Sequence, residues 1–592
     1  MQLTKTALSE FTLFLLALSV FFYLATLSHT MKKIFFILLS SIIFFGAKSQ
    51  TENPVSTSEQ NKPAKEDKGE LTGNFQTNNQ FYVRDNKIGA NTTQYLHELS
   101  STDSWLFLNY KIKGFNFMLR YDMFNKSPLF NPQEAYSNQG IGFWQVSKDV
   151  EKFNFTVGYF YDQFGTGMAF RSYEDRTIGI DFAIEGARII YHATENTTIK
   201  AFTGKQKNRF DIREPIIQGA NIEHRIAISE NLIADLGASV VNRTIDQATM
   251  NTIASTIMGY PLDLRFDPKW NVFVGNIYGT LHYKKFNFYL EYDQKTPEAI
   301  MNYDNTLIKK DGSIYYTSLS YSEKGIGINA QFKRIESFPF RTSPLETQPT
   351  PNNATVNYLP SLTRQNTYRL LARYNAVVQE LGENAAQLEM TFKPNKKWLI
   401  NINTSAVTTL NGVSNSGYKW DESTRLFREI YTDASYKFSN KFKLLLGVQS
   451  IGYNQQVFEA KAAAPYVEAI TTFGEFTYKP DHKRSIRLEG QYMNTAQDLG
   501  SFVNGLVEYN VTPWSLAVGD MVNFQSGYLN KPVVGETFEL IHYFNVFAGY
   551  TYHATRITAG YLKQPQGVNC TGGVCRVEPA FSGARVTLTT NF

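Results

Sequence analysis

Arg171, Glu174, Asp175 and Arg176 put two cations and two anions within six positions. Opposed charges at that spacing either close on one another as ion pairs or face across a gap and set up a field that sorts ions. Cys570 and Cys575 are the chain's two cysteines and frame Thr571-Gly572-Gly573-Val574. The paired glycines permit the tight turn that so small a ring requires, so an oxidising compartment would join the two thiols in a structural disulfide. Histidine offers less. His97, His192, His224, His282, His482, His542 and His553 are scattered one per segment, without an HExxH or HxH pairing, so zinc has no local support. A GxSxG elbow is also missing. No catalytic, cofactor-binding or metal-ligating residue is therefore assigned, and the chain is not expected to be an enzyme.

The elements that must carry these residues are foreshadowed by composition. The chain has 592 residues, of which 43% are hydrophobic, 19% charged and 15% aromatic, with 45 Phe, 35 Tyr and 6 Trp. Mean hydropathy is −0.30. So high an apolar content excludes a disordered polymer, and two cysteines cannot staple a chain this long. Aromatics in this number, in a chain hydrophilic on average, suggest strands with one wet and one apolar face. Charge carries little information. The formal total is +5, but Lys5, Lys32, Lys33 and Lys48 against Glu10 place +3 in the first 50 residues, leaving +2. Nucleic acid is not an expected partner.

The N-terminus reads as an address. Met31-Lys32-Lys33 precedes the apolar stretch Ile34 to Phe45 and the small residues of Ala47-Lys48-Ser49, the three parts of a secretory signal with cleavage before Gln50. We expect residues 1–30 to be an upstream extension of the reading frame, 31–49 a signal peptide, 50–69 a flexible periplasmic lead-in, and 70–592 the folded body.

From Glu70 onward the apolar period is two. Phe115, Phe117, Leu119, Tyr121 and Met123 alternate with Asn116, Met118, Arg120 and Asp122, and Leu232, Ala234, Leu236, Ala238 and Val240 repeat the pattern. Successive strand side chains point to opposite faces, so one face is apolar and the other polar. Short turns such as Lys113-Gly114, Lys284-Lys285 and His553-Ala554 alternate with long loops at Asn125–Gln139, Gly165–Glu185, Thr244–Lys269, Gln294–Gly312 and Glu336–Leu381. That parity is the signature of a transmembrane antiparallel β-barrel. Eleven short turns imply an all-β barrel of about 24 strands, within a range of 22–26, with short periplasmic turns and long extracellular loops. Val586, Leu588, Thr590 and Phe592 share one face of the last segment and end on an aromatic. This looks like the C-terminal signal read by the barrel assembly machinery. The aromatic excess then belongs to girdles at the two membrane interfaces.

Gly158-Tyr159-Phe160-Tyr161-Asp162-Gln163-Phe164-Gly165-Thr166-Gly167, with Arg171 to Arg176 and Gly186-Ala187-Arg188, resembles an uncharacterised outer-membrane family of the Bacteroidota. Tyr358-Leu359-Pro360-Ser361-Leu362-Thr363-Arg364-Gln365-Asn366-Thr367-Tyr368 resembles it too. The resemblance implies a fold and a location in the bacterial outer membrane, and no activity.

The expected function is a porin-like passive or selective solute channel. A lead-in this short leaves no room for a TonB-type plug ahead of the barrel. The alternative is a non-enzymatic accessory subunit of a larger outer-membrane machine for secretion, assembly or nutrient uptake. Expected partners are outer-membrane lipid, lipopolysaccharide and the assembly machinery and, in the alternative, other outer-membrane proteins or lipoproteins in a stable complex. On a barrel, Arg171, Glu174, Asp175 and Arg176 fall in the third external loop. There they either brace the inner wall as salt bridges or line a constriction.

Overall fold

The computed structural model describes residues 69–302, 304–346, 353–410, 425–571 and 574–592. The extension, the signal peptide and nearly all of the lead-in expected from the sequence lie outside these described residues. From Gly69 the chain forms one 24-stranded antiparallel sheet closed on itself. Each strand pairs with its sequence neighbours, and the first strand, Glu70–Tyr82, meets the last, Phe581–Asn591, with Phe75 opposite Thr590. Closure removes the sheet edges and pairs the backbone throughout, which a strand in lipid requires.

Eleven connections on one rim are short, from Lys113-Gly114 to His553-Ala554. The connections on the opposite rim include the long ones, 161–183, 245–270 and 337–381. The connections depart from the expected loops in places: strands Phe115–Ser127 and Tyr136–Val150 leave only 128–135 of Asn125–Gln139. Gln294–Gly312 is not a loop: strands Phe286–Met301 and Leu307–Glu323 run through most of it, leaving only residues 302–306 between them. Pro297 sits where the register shifts between Lys295 and Glu298, so the bulge absorbs the donor that proline lacks. On the same rim, Arg209-Phe210 joins strands Thr197–Asn208 and Asp211–Ser229 with two residues only.

The two faces of the wall sort as the alternation demands. Leu236, Val240, Ile277, Leu290, Ile430, Leu446 and Val518 are all exposed on the outer face. Aromatic pairs stand on the same outer face in two tiers. Near the short turns, Phe286 packs on Tyr321 at 4.8 Å, Trp398 on Tyr436 at 4.7 Å, Phe442 on Tyr478 at 4.6 Å and Trp514 on Tyr550 at 4.7 Å. Toward the other rim stand Tyr292–Tyr315 at 4.7 Å and Tyr492–Phe524 at 5.6 Å. Two aromatic tiers bounding an apolar band form the girdle arrangement of a barrel in a bilayer.

Val586, Leu588, Thr590 and Phe592 lie along one face of the closing strand or just beyond its end. Phe592 locks the seam: its carbonyl accepts from the Gly73 amide at 2.7 Å, and its own amide donates to the Gly73 carbonyl at 3.0 Å. Its ring lies over Gly73, where any Cβ would stand 2.4 Å from ring carbons. A side chain at position 73 would therefore have to push the terminal aromatic aside.

Candidate functional site: a lumen filled by two inward loops

A barrel of 24 strands is too wide for its wall side chains to meet across the centre. A water-filled lumen of that size calls for a polar inner wall. Here the inner wall carries Ile217, Val241, Val274, Ile314 and Ile335, each with no exposed surface. Two connections from the long-loop rim cover them.

The first is residues 161–183. Asp162–Phe164 pairs with Phe170–Ser172, and Glu174–Asp175 with Ile180–Asp181, so the loop folds as two small ladders. The turn between the first pair uses Gly165 and Gly167, both at positive φ, and a Cβ on Gly165 would sit 2.6 Å from a carboxylate oxygen of Glu291 on the wall. Phe164, Met168 and Phe170 are fully buried against Phe202, Ile217 and Val241. Each buried phenylalanine contributes about 1.5–3 kcal/mol to holding the loop inside.

The second loop, residues 337–381, travels further. Phe338 and Phe340 join the same apolar cluster. Lys295 of the wall donates to the Pro339 carbonyl at 2.6 Å, and Lys333 donates to that of Pro360. The chain then crosses to the other side of the barrel. Asn366 donates to Glu429 at 3.2 Å, the Tyr368 hydroxyl to Glu475 at 3.2 Å and the Leu370 amide to Gln491 at 2.8 Å. Arg369 donates to the Tyr543 carbonyl at 3.0 Å and the Lys563 carbonyl at 2.9 Å, close to the seam. Arg373 pairs with Asp498 at 2.6 Å, joined by the Tyr374 hydroxyl at 3.1 Å. Burial alone would raise the Asp498 pKa, but the Arg373 and Lys461 charges hold it below the usual carboxylate range.

The two loops also hold each other. The Arg171 amide donates to the Val356 carbonyl at 3.0 Å, and the Tyr358 amide to the Gly167 carbonyl at 2.9 Å. The Arg171 guanidinium stacks over the rings of Tyr358 at 4.2 Å and Tyr173 at 4.7 Å. The stretches Gly158–Gly167 with Arg171–Arg176, and Tyr358–Tyr368, which share the family resemblance, therefore meet inside the barrel.

The four charged residues of the first loop are not gathered at one point. Arg171 is taken by the two tyrosines. Asp175 accepts from the Thr177 amide at 2.9 Å and hydroxyl at 2.5 Å. Glu174 pairs with Arg176 at 2.9 Å and with Arg120 of the wall at 2.5 Å. Arg120, missed in the sequence because it reads as an ordinary inward position, is the hub. It holds Asp122 at 2.7 Å and Asp181 at 2.7 Å, while Lys207 pairs with Asp181 from a second wall strand. Arg120, Arg176 and Lys207 thus balance Asp122, Glu174 and Asp181. Burial would raise the Asp181 pKa, yet the Lys207 and Arg120 charges hold it far below the usual range. This geometry braces the loop against the wall.

A cavity of about 630 Å³ lies on the seam side, between the loops and the first and last strands. Arg176, Arg369, Arg373 and Arg585 line it, against Asp103 and Glu578. Arg369, Arg373 and Arg585 had no motif to single them out in the sequence.

Histidine forms two carboxylate pairs, His282–Asp235 at 2.9 Å and His542–Asp520 at 2.7 Å. Neither of these rings is hydrogen-bonded to a Ser, Thr or Cys among the described residues, and the second nitrogen of His282 is engaged with Asn287 at 2.6 Å. Among the described residues no cluster of three His, Cys, Asp or Glu is placed to hold a metal ion. The backbone ladder Gly567–Thr571 with Val574–Glu578 sets Cys570 opposite Cys575.

Among solved structures, the chain is similar to the siderophore receptor PirA from Pseudomonas aeruginosa, at 9% identity and a TM-score of 0.38, over 89% of this chain and 81% of that one. It is also similar to a chain of the E. coli P pilus tip assembly intermediate PapC-PapD-PapK-PapG, at 8% identity and a TM-score of 0.45, over 92% and 63% of the two chains. A third is OccAB3 from Acinetobacter baumannii, at 8% identity and 0.34, over 89% and 99%. No curated protein matches the sequence. Residues 31–592 match the model of a family of unknown function, DUF6029, and the chain belongs to that family.

Proposed function

We propose that this chain is a bacterial outer-membrane barrel that works as a selective solute channel held shut at rest by its own loops. One observation carries the reading. Inner-wall side chains that would face water in an open pore, Glu291, Asp293, Lys295 and Lys333 among them, are fully buried beneath loops 161–183 and 337–381. The two aromatic tiers and the apolar outer band support placement in the outer membrane, in contact with lipid and lipopolysaccharide. The closing strand, with Phe592 over Gly73, is the segment offered to the assembly machinery. The long loops serve as the plug, and no catalytic role is assigned to the barrel.

Liposome swelling with sugars of graded size tests this. The expected result is little or no swelling by the native chain for sugars that a general porin admits. Swelling that tracks sugar size alone, as through an open hole, would sink the proposal.

A second reading, the non-enzymatic accessory subunit, draws on different residues. Leu262 and Leu264 are 82% and 60% exposed in connection 245–270, and Val533 and Val534 are 70% and 102% exposed in connection 526–540. Apolar side chains at loop tips suit docking to another outer-membrane protein or lipoprotein. Gentle detergent extraction followed by native-size analysis separates the readings, because an accessory subunit travels with partners in fixed ratio.

A further inference from the structure

Buried cations in proteins are paired with carboxylates, because an isolated charge taken out of water is costly. At the seam-side cavity two half-buried cations, Arg369 and Arg585, depart from that pattern. Arg369 spends both terminal nitrogens on backbone carbonyls, of Tyr543 and Lys563, and makes no ion pair with any described residue. Burial pulls its pKa down to about 10, with the Asp520 charge opposing that fall only in part. Arg585 likewise makes no ion pair among the described residues, and its Nε is buried without a hydrogen-bond partner. A third donor, the Nε2 of Gln94, is buried and unpartnered at the same cavity. Arg176 and Arg373 add positive charge to the lining, although each is already committed to a carboxylate, Glu174 and Asp498 respectively.

We propose that this cavity is a binding site for a small organic oxyanion, a solute bearing a carboxylate or phosphate, with Arg369 and Arg585 as its counter-charges and Gln94 as a neutral donor. Guanidinium forks match the planar geometry of carboxylate and phosphate oxygens. The volume suits a solute of sugar-acid size, within the span of ordinary ligand pockets. Leu129, Leu370 and Phe581 supply apolar wall beside the arginines, so a carbon skeleton would be covered as well as a charge. The site is walled in part by the last external connection, through Pro565 and Pro579, which places it on the long-loop side of the plug. As the entry subsite of the channel it rests on the sealed-lumen reading; as a binding site it stands without it.

Equilibrium dialysis on the full-length purified barrel tests the proposal, with citrate, glucose 6-phosphate and uncharged glucose as probes. The expected result is saturable binding of both anions, no binding of glucose, and weakening by about tenfold or more in Arg585→Gln and in Arg369→Gln. Arg585→Lys keeps the charge and should restore most of the Arg585→Gln loss. Retarded migration of unheated samples in gel electrophoresis confirms that each variant is a folded barrel. A lipid phosphate could occupy the same arginines, so the purified chain is also assayed for bound lipopolysaccharide phosphate. Retention by the native chain, loss in both glutamine variants and displacement by citrate would assign that source and keep the site. Folded native chain that binds neither anion and holds no displaceable phosphate overturns the proposal, as does binding that the glutamine variants leave unchanged. Anion binding without any solute flux would defeat the channel reading alone.

Discussion

Arg120→Gln tests how the first loop is held. Arg120 is 3% exposed in its side chain and makes four charge-assisted hydrogen bonds, two to Asp122 and one each to Glu174 and Asp181. At about 1.5–3 kcal/mol each these bonds would sum far above the measured cost of such deletions, because their contributions overlap. The better guide is the removal of one partner from a buried ion pair, about 3–5 kcal/mol, since three carboxylates would then face only Arg176 and Lys207. Spread over the docking equilibrium of loop 161–183, that raises the undocked population by roughly a hundredfold to a few thousandfold. Trypsin reads this directly, because Arg171 and Arg176 are its own cleavage sites. When reclosing is faster than cutting, the cleavage rate follows the open population. In intact proteoliposomes the variant should be cut at these arginines at least a hundredfold faster than the native chain, with Arg120→Lys in between. A rate within about threefold of native would refute the claim that this hub docks the loop.

Three further outcomes follow from the same structure. Asp181 and Asp498 have folded pKa values below the ordinary 3.8, so their contribution to docking is complete above that pH and is lost as pH falls below it. Trypsin-like access, assayed with an acid-active protease, should therefore rise reversibly as pH falls below about 4. Gly73→Val drives a side chain into the Phe592 ring and should cost about 1–3 kcal/mol at the seam. Its measure is slower conversion to the heat-modifiable band during assembly, and Phe592→Ala in the same background should recover part of the loss. Peptide mapping without reductant should recover Cys570 and Cys575 as one linked fragment; two free thiols in native membranes would remove the disulfide.

The barrel was legible because lipid imposes a rule on every strand. Leu232 to Val240 and Phe115 to Met123 keep one face apolar throughout, and turns such as Lys284-Lys285 mark the rim. The Lys295–Glu298 stretch escaped that rule because its charges and Pro297 imitate a loop, whereas Lys295 and Glu298 are buried as an ion pair beside Phe338. The inward fold of the two long connections left almost no trace. Phe338, Phe340, Leu370 and Leu371 follow no period, and an apolar residue in a loop reads the same whether it lines a plug or a partner surface. Arg120 was visible as a position and not as a hub, since its partners Glu174 and Asp181 come from 54 and 61 residues away. What did carry information was the shared segment Tyr358 to Tyr368, whose residues touch the opposite wall.

Single-channel recording in planar bilayers addresses the central claim most directly, comparing the native chain with a variant lacking residues 361–374. If the loops close the lumen, the native barrel stays silent or shows only small, brief steps, and the shortened barrel opens steady large conductances. Equal, large and steady conductance from both folded proteins would contradict the account.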